Sequence, residues 1–185
     1  MKLDILIAGV GGQGTLLSSR VLGTYAQLKG LDCKLSEVHG MAQRGGSVIT
    51  HVRMSENVLS PIIDTGTADV LIAYETLEAI RYSDIVKEGG LIIYSTQRIM
   101  PMPVVSGGAK YPDDADKRLP DAKAVDAVSI AKAAGNEKTA NIVILGVLAK
   151  AIDLDYHAFL TAIKQNIPQK LQDVNIKAFD AGYNL

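Results

Sequence analysis

Residues 3–8 (LDILIA) are almost entirely apolar and partly β-branched, and the run stops at the glycine-rich GVGGQG, which predicts a buried central strand ending in a turn. From Thr15 the period changes. Leu16, Leu17, Val21, Leu22, Tyr25 and Leu28 recur at helical spacing until Lys29 and Gly30 supply a C-terminal stop. Residues 32–38 (DCKLSEV) alternate weakly and predict a second strand, and 47–54 (SVITHVRM), rich in β-branched residues, predicts a third. Between them lies HGMAQRGG. Residues 69–74 (DVLIAY) form another apolar run, followed by a helical segment over 75–87 with a stop at Gly89-Gly90, and then by a strand at 91–95 (LIIYS). Residues 101–121 hold four prolines and a mixed-charge stretch, so a surface loop or hairpin is expected there. A short final strand over 122–127 and helices near 127–135, 139–151 and 155–166 complete the pattern, with a break at Pro168. Ile142, Leu145, Leu148 and Ala149 are expected to pack in the core.

Alternating apolar strands and amphipathic helices predict an α/β fold: a three-layer α/β/α, Rossmann-like arrangement of a mostly parallel sheet, with a Pro-rich surface insertion, all in one domain spanning 1–185. Composition removes several classes of function. With 19 Lys+Arg against 20 Asp+Glu, the chain lacks the basic excess that would favour nucleic acid or an anionic membrane. The lone Cys33 builds no disulfide framework, four-cysteine zinc site or iron–sulfur cluster, so any redox metal is expected on another chain. No apolar run approaches the ~18 residues of a membrane helix, and the opening MKLDILIA does not read as a signal peptide. A cytoplasmic location is expected.

The sharpest chemical feature is Gly9-Val10-Gly11-Gly12-Gln13-Gly14, a G-x-G-x-x-G placed between a predicted strand and a predicted helix. Such a loop brings backbone N–H groups and the positive end of a helix close to an anion; a plain tight turn is the alternative. Gln13 offers a side-chain donor or faces solvent, and Thr15 is a candidate first-turn cap. In a dinucleotide-binding reading Glu37 would hold a ribose diol, although it lies a few residues beyond the usual spacing. In HGMAQRGG, Arg44 is suited to grip phosphate or carboxylate at two points, or to pair with Glu37. His39 and His51 lack the i, i+4 spacing of a helical metal pair, so hydrogen-bonded structural roles are expected for them and for His157. Cys33 reads as a buried small residue. The glycine–serine elbow, helical zinc-binding and P-loop motifs are absent, and so is the Gly-Asp-Gly stretch with downstream Asn that holds magnesium diphosphate in thiamine enzymes.

Two stretches, GVGGQGTLLSSRVLG and EVHGMAQRGGSVITHVR, resemble the gamma-type domain of the 2-oxoacid:ferredoxin oxidoreductases, in particular the beta subunits of its indolepyruvate-type members. The resemblance continues through PIIDTGTADVLIAYETLEAIRY, the STQ at 95–97 and the closing KAFDAGY. It departs from the pyruvate type, which usually has Arg where this chain has Val10. The resemblance implies an enzyme that oxidatively decarboxylates arylpyruvates to aryl-acetyl-CoA and passes two electrons to ferredoxin. It also implies that thiamine diphosphate, magnesium and iron–sulfur clusters sit on a large alpha partner subunit. This chain would then complete the active-site interface and help hold coenzyme A through Gly11, Gly12, Gln13, Gly14, Arg44 and Gly45. No catalytic or metal-ligating residue is assigned to it. A free-standing NAD-dependent dehydrogenase and a non-enzymatic nucleotide-binding module are the competing readings.

Overall fold

The computed structural model describes residues 1–40 and 45–185. Strand β1 (Leu3–Val10) is buried along its whole length. Its side chains divide between two cores: Ile5 and Ile7 join one, Leu6 and Ala8 the other. Cover on both faces explains why the strand is a continuous apolar run rather than an alternating one.

β1 lies third in a six-stranded sheet. Its partners are β2 (Asp32–His39), β3 (Ser47–Ser55), β4 (Ala68–Ala73), β5 (Val86–Ser95) and β6 (Lys123–Val125), in the order β2-β3-β1-β4-β5-β6. The pairs β1–β4, β4–β5 and β5–β6 are parallel, whereas β3 runs antiparallel to β1 and to β2. The mostly parallel α/β expectation holds. One part of the Rossmann pattern does not, because β3 is inserted where β2 would adjoin β1, leaving β2 at the edge. The cause is loop length. Between His39 and Ser47 there is no room for the dozen or more residues of a parallel crossover, so β3 must return as an antiparallel neighbour of β2.

On one face α1 (Thr15–Leu28) packs with three later helices around the larger core. These are α6 (Ala140–Ala151), α7 (Tyr156–Asn166) and α8 (Gln169–Tyr183). Ile142, Leu145, Leu148 and Ala149 of α6 are fully buried, as their spacing predicts. α5 (Ala127–Ala134) precedes α6 and borders it. The other face is thinner, covered by α2 (Thr76–Arg81), by Ile85 and by the end of the 101–121 segment.

Two boundaries differ from the sequence pattern. The helix expected over 75–87 ends at Arg81, a 3-10 turn follows at Ser83–Ile85, and β5 already begins at Val86. Gly89-Gly90 therefore lies inside β5 rather than stopping a helix. Gly89 has φ +71°, and a Cβ on Gly90 would sit 3.0 Å from the carbonyl oxygen of Asp69, where the β4–β5 register shifts. Here glycine serves an irregular strand. The 101–121 segment carries two short helices, α3 (Met102–Val105) and α4 (Ala115–Arg118), and buries Ala115 and Leu119.

Candidate functional site at the strand ends

Parallel strands deliver their C-terminal loops to one edge of the sheet, where β1, β4 and β5 end together. The glycine loop begins there. The Gly11 N–H donates to the Gly46 carbonyl at 2.9 Å, which ties the loop to the turn before β3. Gln13 is the clamp. Its Oε1 accepts from the Val10 N–H at 2.8 Å, and its Nε2 donates to the Tyr74 carbonyl at 2.9 Å and to Gln97 Oε1 at 2.8 Å. One side chain thus joins the ends of three strands. Both amide hydrogens are spent, so Gln13 is neither a free ligand donor nor a solvent-facing turn residue.

Gly14 is the N-cap of α1, with φ +85° and no side-chain cap, and Thr15 is a buried first-turn residue rather than the cap. A Cβ on Gly14 would lie 2.6 Å from Asn141 Nδ2. That amide donates to the Gly14 carbonyl and to Ser18 Oγ, each at 3.3 Å, and the Tyr74 hydroxyl donates to Ser18 Oγ at 2.6 Å. Burial pushes the Tyr74 hydroxyl above the usual phenol range. The first turn of α1 is thereby fixed to α6 and β4.

Two hollows flank the loop. The larger, about 600 Å³, is lined by Gly12, Gln13 and Gln97 from the strand ends and by Lys132, Lys138 and Asn141 from the later helical region. The smaller, about 380 Å³, is lined by Gly11, Gly12, Gly14 and Thr15, and faces Glu37 and His39. Gly12 borders both, with φ +108° and nothing within 4 Å of where a Cβ would stand. Glu37 accepts from Thr50 Oγ1 at 3.3 Å and lies 3.6 Å from His39 Nδ1. Arg44 and the preceding residues 41–43 lie outside the described residues, so the alternative pairing of Arg44 with Glu37 does too. Gly45 is exposed, has φ +77°, and lines neither hollow.

A buried carboxylate holds the outer wall. Glu75 is 1% exposed and accepts from the Glu78 N–H at 3.1 Å, the Ile99 N–H at 2.9 Å and the Tyr111 hydroxyl. The chain beyond β5 is thereby anchored across the strand ends. His51 is 6% exposed, and its Nδ1 accepts from the Ile63 N–H at 3.2 Å. Burial and then Arg53 depress its pKa, in keeping with the structural role expected of it. Burial raises the Cys33 thiol to about 11, which disfavours the thiolate. Among the described residues, no group of three or more His, Cys, Asp or Glu converges on a metal position.

Tyr74, Gln97, Lys132, Lys138 and Asn141 were not expected from the sequence. Gln97 had a usable signal, since it lies two residues beyond the end of β5, a strand parallel to β4. The lysines had none, because helix packing alone brings them to a loop more than a hundred residues earlier in the chain.

The chain matches the family model described as pyruvate ferredoxin/flavodoxin oxidoreductase over residues 4–185. It is 39% identical to the indolepyruvate oxidoreductase subunit IorB of Archaeoglobus fulgidus over 192 residues, covering 100% of this chain and 95% of that protein. It is also 39% identical to the IorB of Pyrococcus horikoshii over 190 residues, with coverage of 98% and 94%. Among solved structures, the gamma subunit of a keto/oxoacid ferredoxin oxidoreductase from Geobacter sulfurreducens aligns with TM-score 0.74 and 25% identity, covering 100% of this chain and 95% of that one.

Proposed function

Since this chain belongs to the pyruvate ferredoxin/flavodoxin oxidoreductase family, we propose that it is the smaller subunit of an indolepyruvate-type enzyme and acts at the interface where the oxoacid is converted. It is a subunit of a 2-oxoacid oxidoreductase complex. The observation that carries the indolepyruvate assignment is similarity to IorB over the whole chain, at 39% identity. The overall reaction would convert an arylpyruvate, coenzyme A and two oxidised ferredoxins to aryl-acetyl-CoA, carbon dioxide, a proton and two reduced ferredoxins. Iron–sulfur clusters are assigned to a larger partner because one poorly ionised thiol is no cluster-ligand set, and thiamine diphosphate and magnesium are assigned there because the sequence lacks the Gly-Asp-Gly stretch that holds them.

This chain's own part is binding and orientation. The Gln13 clamp holds the backbone of the glycine loop in place, and the hollows flanking that loop are proposed as the preorganised seat of coenzyme A. Arg44 is proposed as a further grip on that coenzyme. A free-standing NAD-dependent dehydrogenase is not favoured, because β3 separates Glu37's strand from β1. The test is subunit omission. Arylpyruvate-dependent reduction of ferredoxin is expected from the co-expressed pair and from neither chain alone. Nicotinamide reduction by this chain alone would reverse the assignment.

A further inference from the structure

Among the described residues the two hollows beside Gly12 differ in charge, and we propose that the larger one is a phosphate site in which Lys132 and Lys138 hold the anionic groups of a nucleotide. The identity of that nucleotide, the 3′-phosphoadenosine diphosphate half of coenzyme A, rests on the functional reading above; the placement of phosphate rests on the cleft itself. Its volume of about 600 Å³ falls within the usual range for small-molecule and cofactor pockets.

The lysines enter from fixed backbone. Lys132 stands in the last turn of α5, and Gly135, with φ +117°, turns the chain back toward α6. Asn136 Oδ1 accepts from the Lys138 N–H at 3.0 Å, which holds the short turn that carries the second lysine. Glu137 is the acidic residue on this wall, 3.4 Å from Lys132, and both side chains are about 60% exposed. An exposed pair of this kind contributes little, so phosphate can displace the carboxylate from Lys132 at small cost. Gly12, which lines the same cleft as the lysines, presents backbone with no side chain in the way.

The smaller hollow lacks this arrangement among the described residues. There an anion would approach the Glu37 carboxylate, which shares the cavity with the first turn of α1. Like charges in a partly dehydrated site repel, so the α1 terminus is the weaker host for phosphate even though its N–H groups are favourable. Gly12 joins the two spaces. A long coenzyme would place its nucleotide among the lysines and cross Gly12 toward the reacting end.

Titration calorimetry with 3′-phosphoadenosine 5′-diphosphate and with coenzyme A tests this, using the full chain both alone and assembled with its partner. Lys132→Gln and Lys138→Gln are each expected to weaken nucleotide binding about tenfold, the range of one lost charged hydrogen bond. Lys2→Gln, at the opposite end of β1 from the glycine loop, should leave affinity unchanged, and thermal melting confirms that each variant is folded. Nucleotide binding that ignores both lysines but tightens in Glu37→Gln would move phosphate to the smaller hollow and overturn this assignment, leaving the coenzyme reading intact. Lysine-dependent nucleotide binding without coenzyme A binding would keep the site and remove the coenzyme reading. Binding of neither compound, even by the assembled enzyme, would overturn both.

Discussion

Gly12 and Gly14 stand two positions apart, both with positive φ, and differ in what a methyl group would meet. At Gly12 a Cβ finds open space, so Gly12→Ala should cost about 1–2 kcal/mol, from backbone strain alone. At Gly14 the Asn141 amide must also move, so Gly14→Ala should cost about 3 kcal/mol or more. Urea unfolding of the two variants separates them; equal losses would contradict the Asn141 packing. His51 supplies a pH test. Its folded pKa lies below its ordinary 6.5, so its contribution is complete above about pH 6.5 and is lost as pH falls through the lower folded value. Protonation of Nδ1 would remove the acceptor for the Ile63 N–H. The stability advantage of wild type over His51→Asn should therefore shrink between pH 7.5 and 5.5; an advantage independent of pH would rule out that linkage. The structural role of His51 was legible in sequence from the missing ligand spacing. The inward turn of Gln13 was not, because its partners Tyr74 and Gln97 lie beyond the ends of two other strands, β4 and β5.

α6 and α8 owe their close approach to two glycines that face each other. A Cβ on Gly146 would run into the Phe179 carbonyl oxygen and lie 2.8 Å from the Tyr183 nitrogen, and one on Gly182 would meet the Val143 carbonyl. Backbone cannot rotate away as a side chain can. Gly146→Ala should therefore cost more than about 3 kcal/mol or prevent folding, by the overpacking argument. Gly23 in α1 is the contrast, since its Cβ would make an ordinary 3.6 Å contact with Leu35. Gly23→Ala should be neutral or gain up to about 1 kcal/mol from helix propensity. Denaturant midpoints for the two variants check the pair, and a mild Gly146→Ala would mean that the helices sit farther apart than described. Hydrophobic period identified β1, α1 and α6 well because each carries a long, consistent pattern. It misplaced the end of α2 because Gly89-Gly90 resembles a helix stop and only strand pairing shows it to be a bulge.

At the scale of the whole molecule, a clamped sheet edge carries a loop that opens onto two spaces, and among the described residues lysines line one and Glu37 the other. Fold class followed from the alternation of strands and helices, and the antiparallel β2–β3 return was implicit in the few residues between His39 and Ser47. The lysine wall was beyond sequence reasoning, since it depends on how α5 and α6 pack beside α1. Hydrogen exchange on the assembled two-subunit enzyme, with and without coenzyme A, reports most directly on whether this chain receives the coenzyme. The account predicts slower exchange at the amides of residues 11–17 and 136–141 when coenzyme A is present. Protection confined to the partner subunit, with both segments of this chain unchanged, would contradict it.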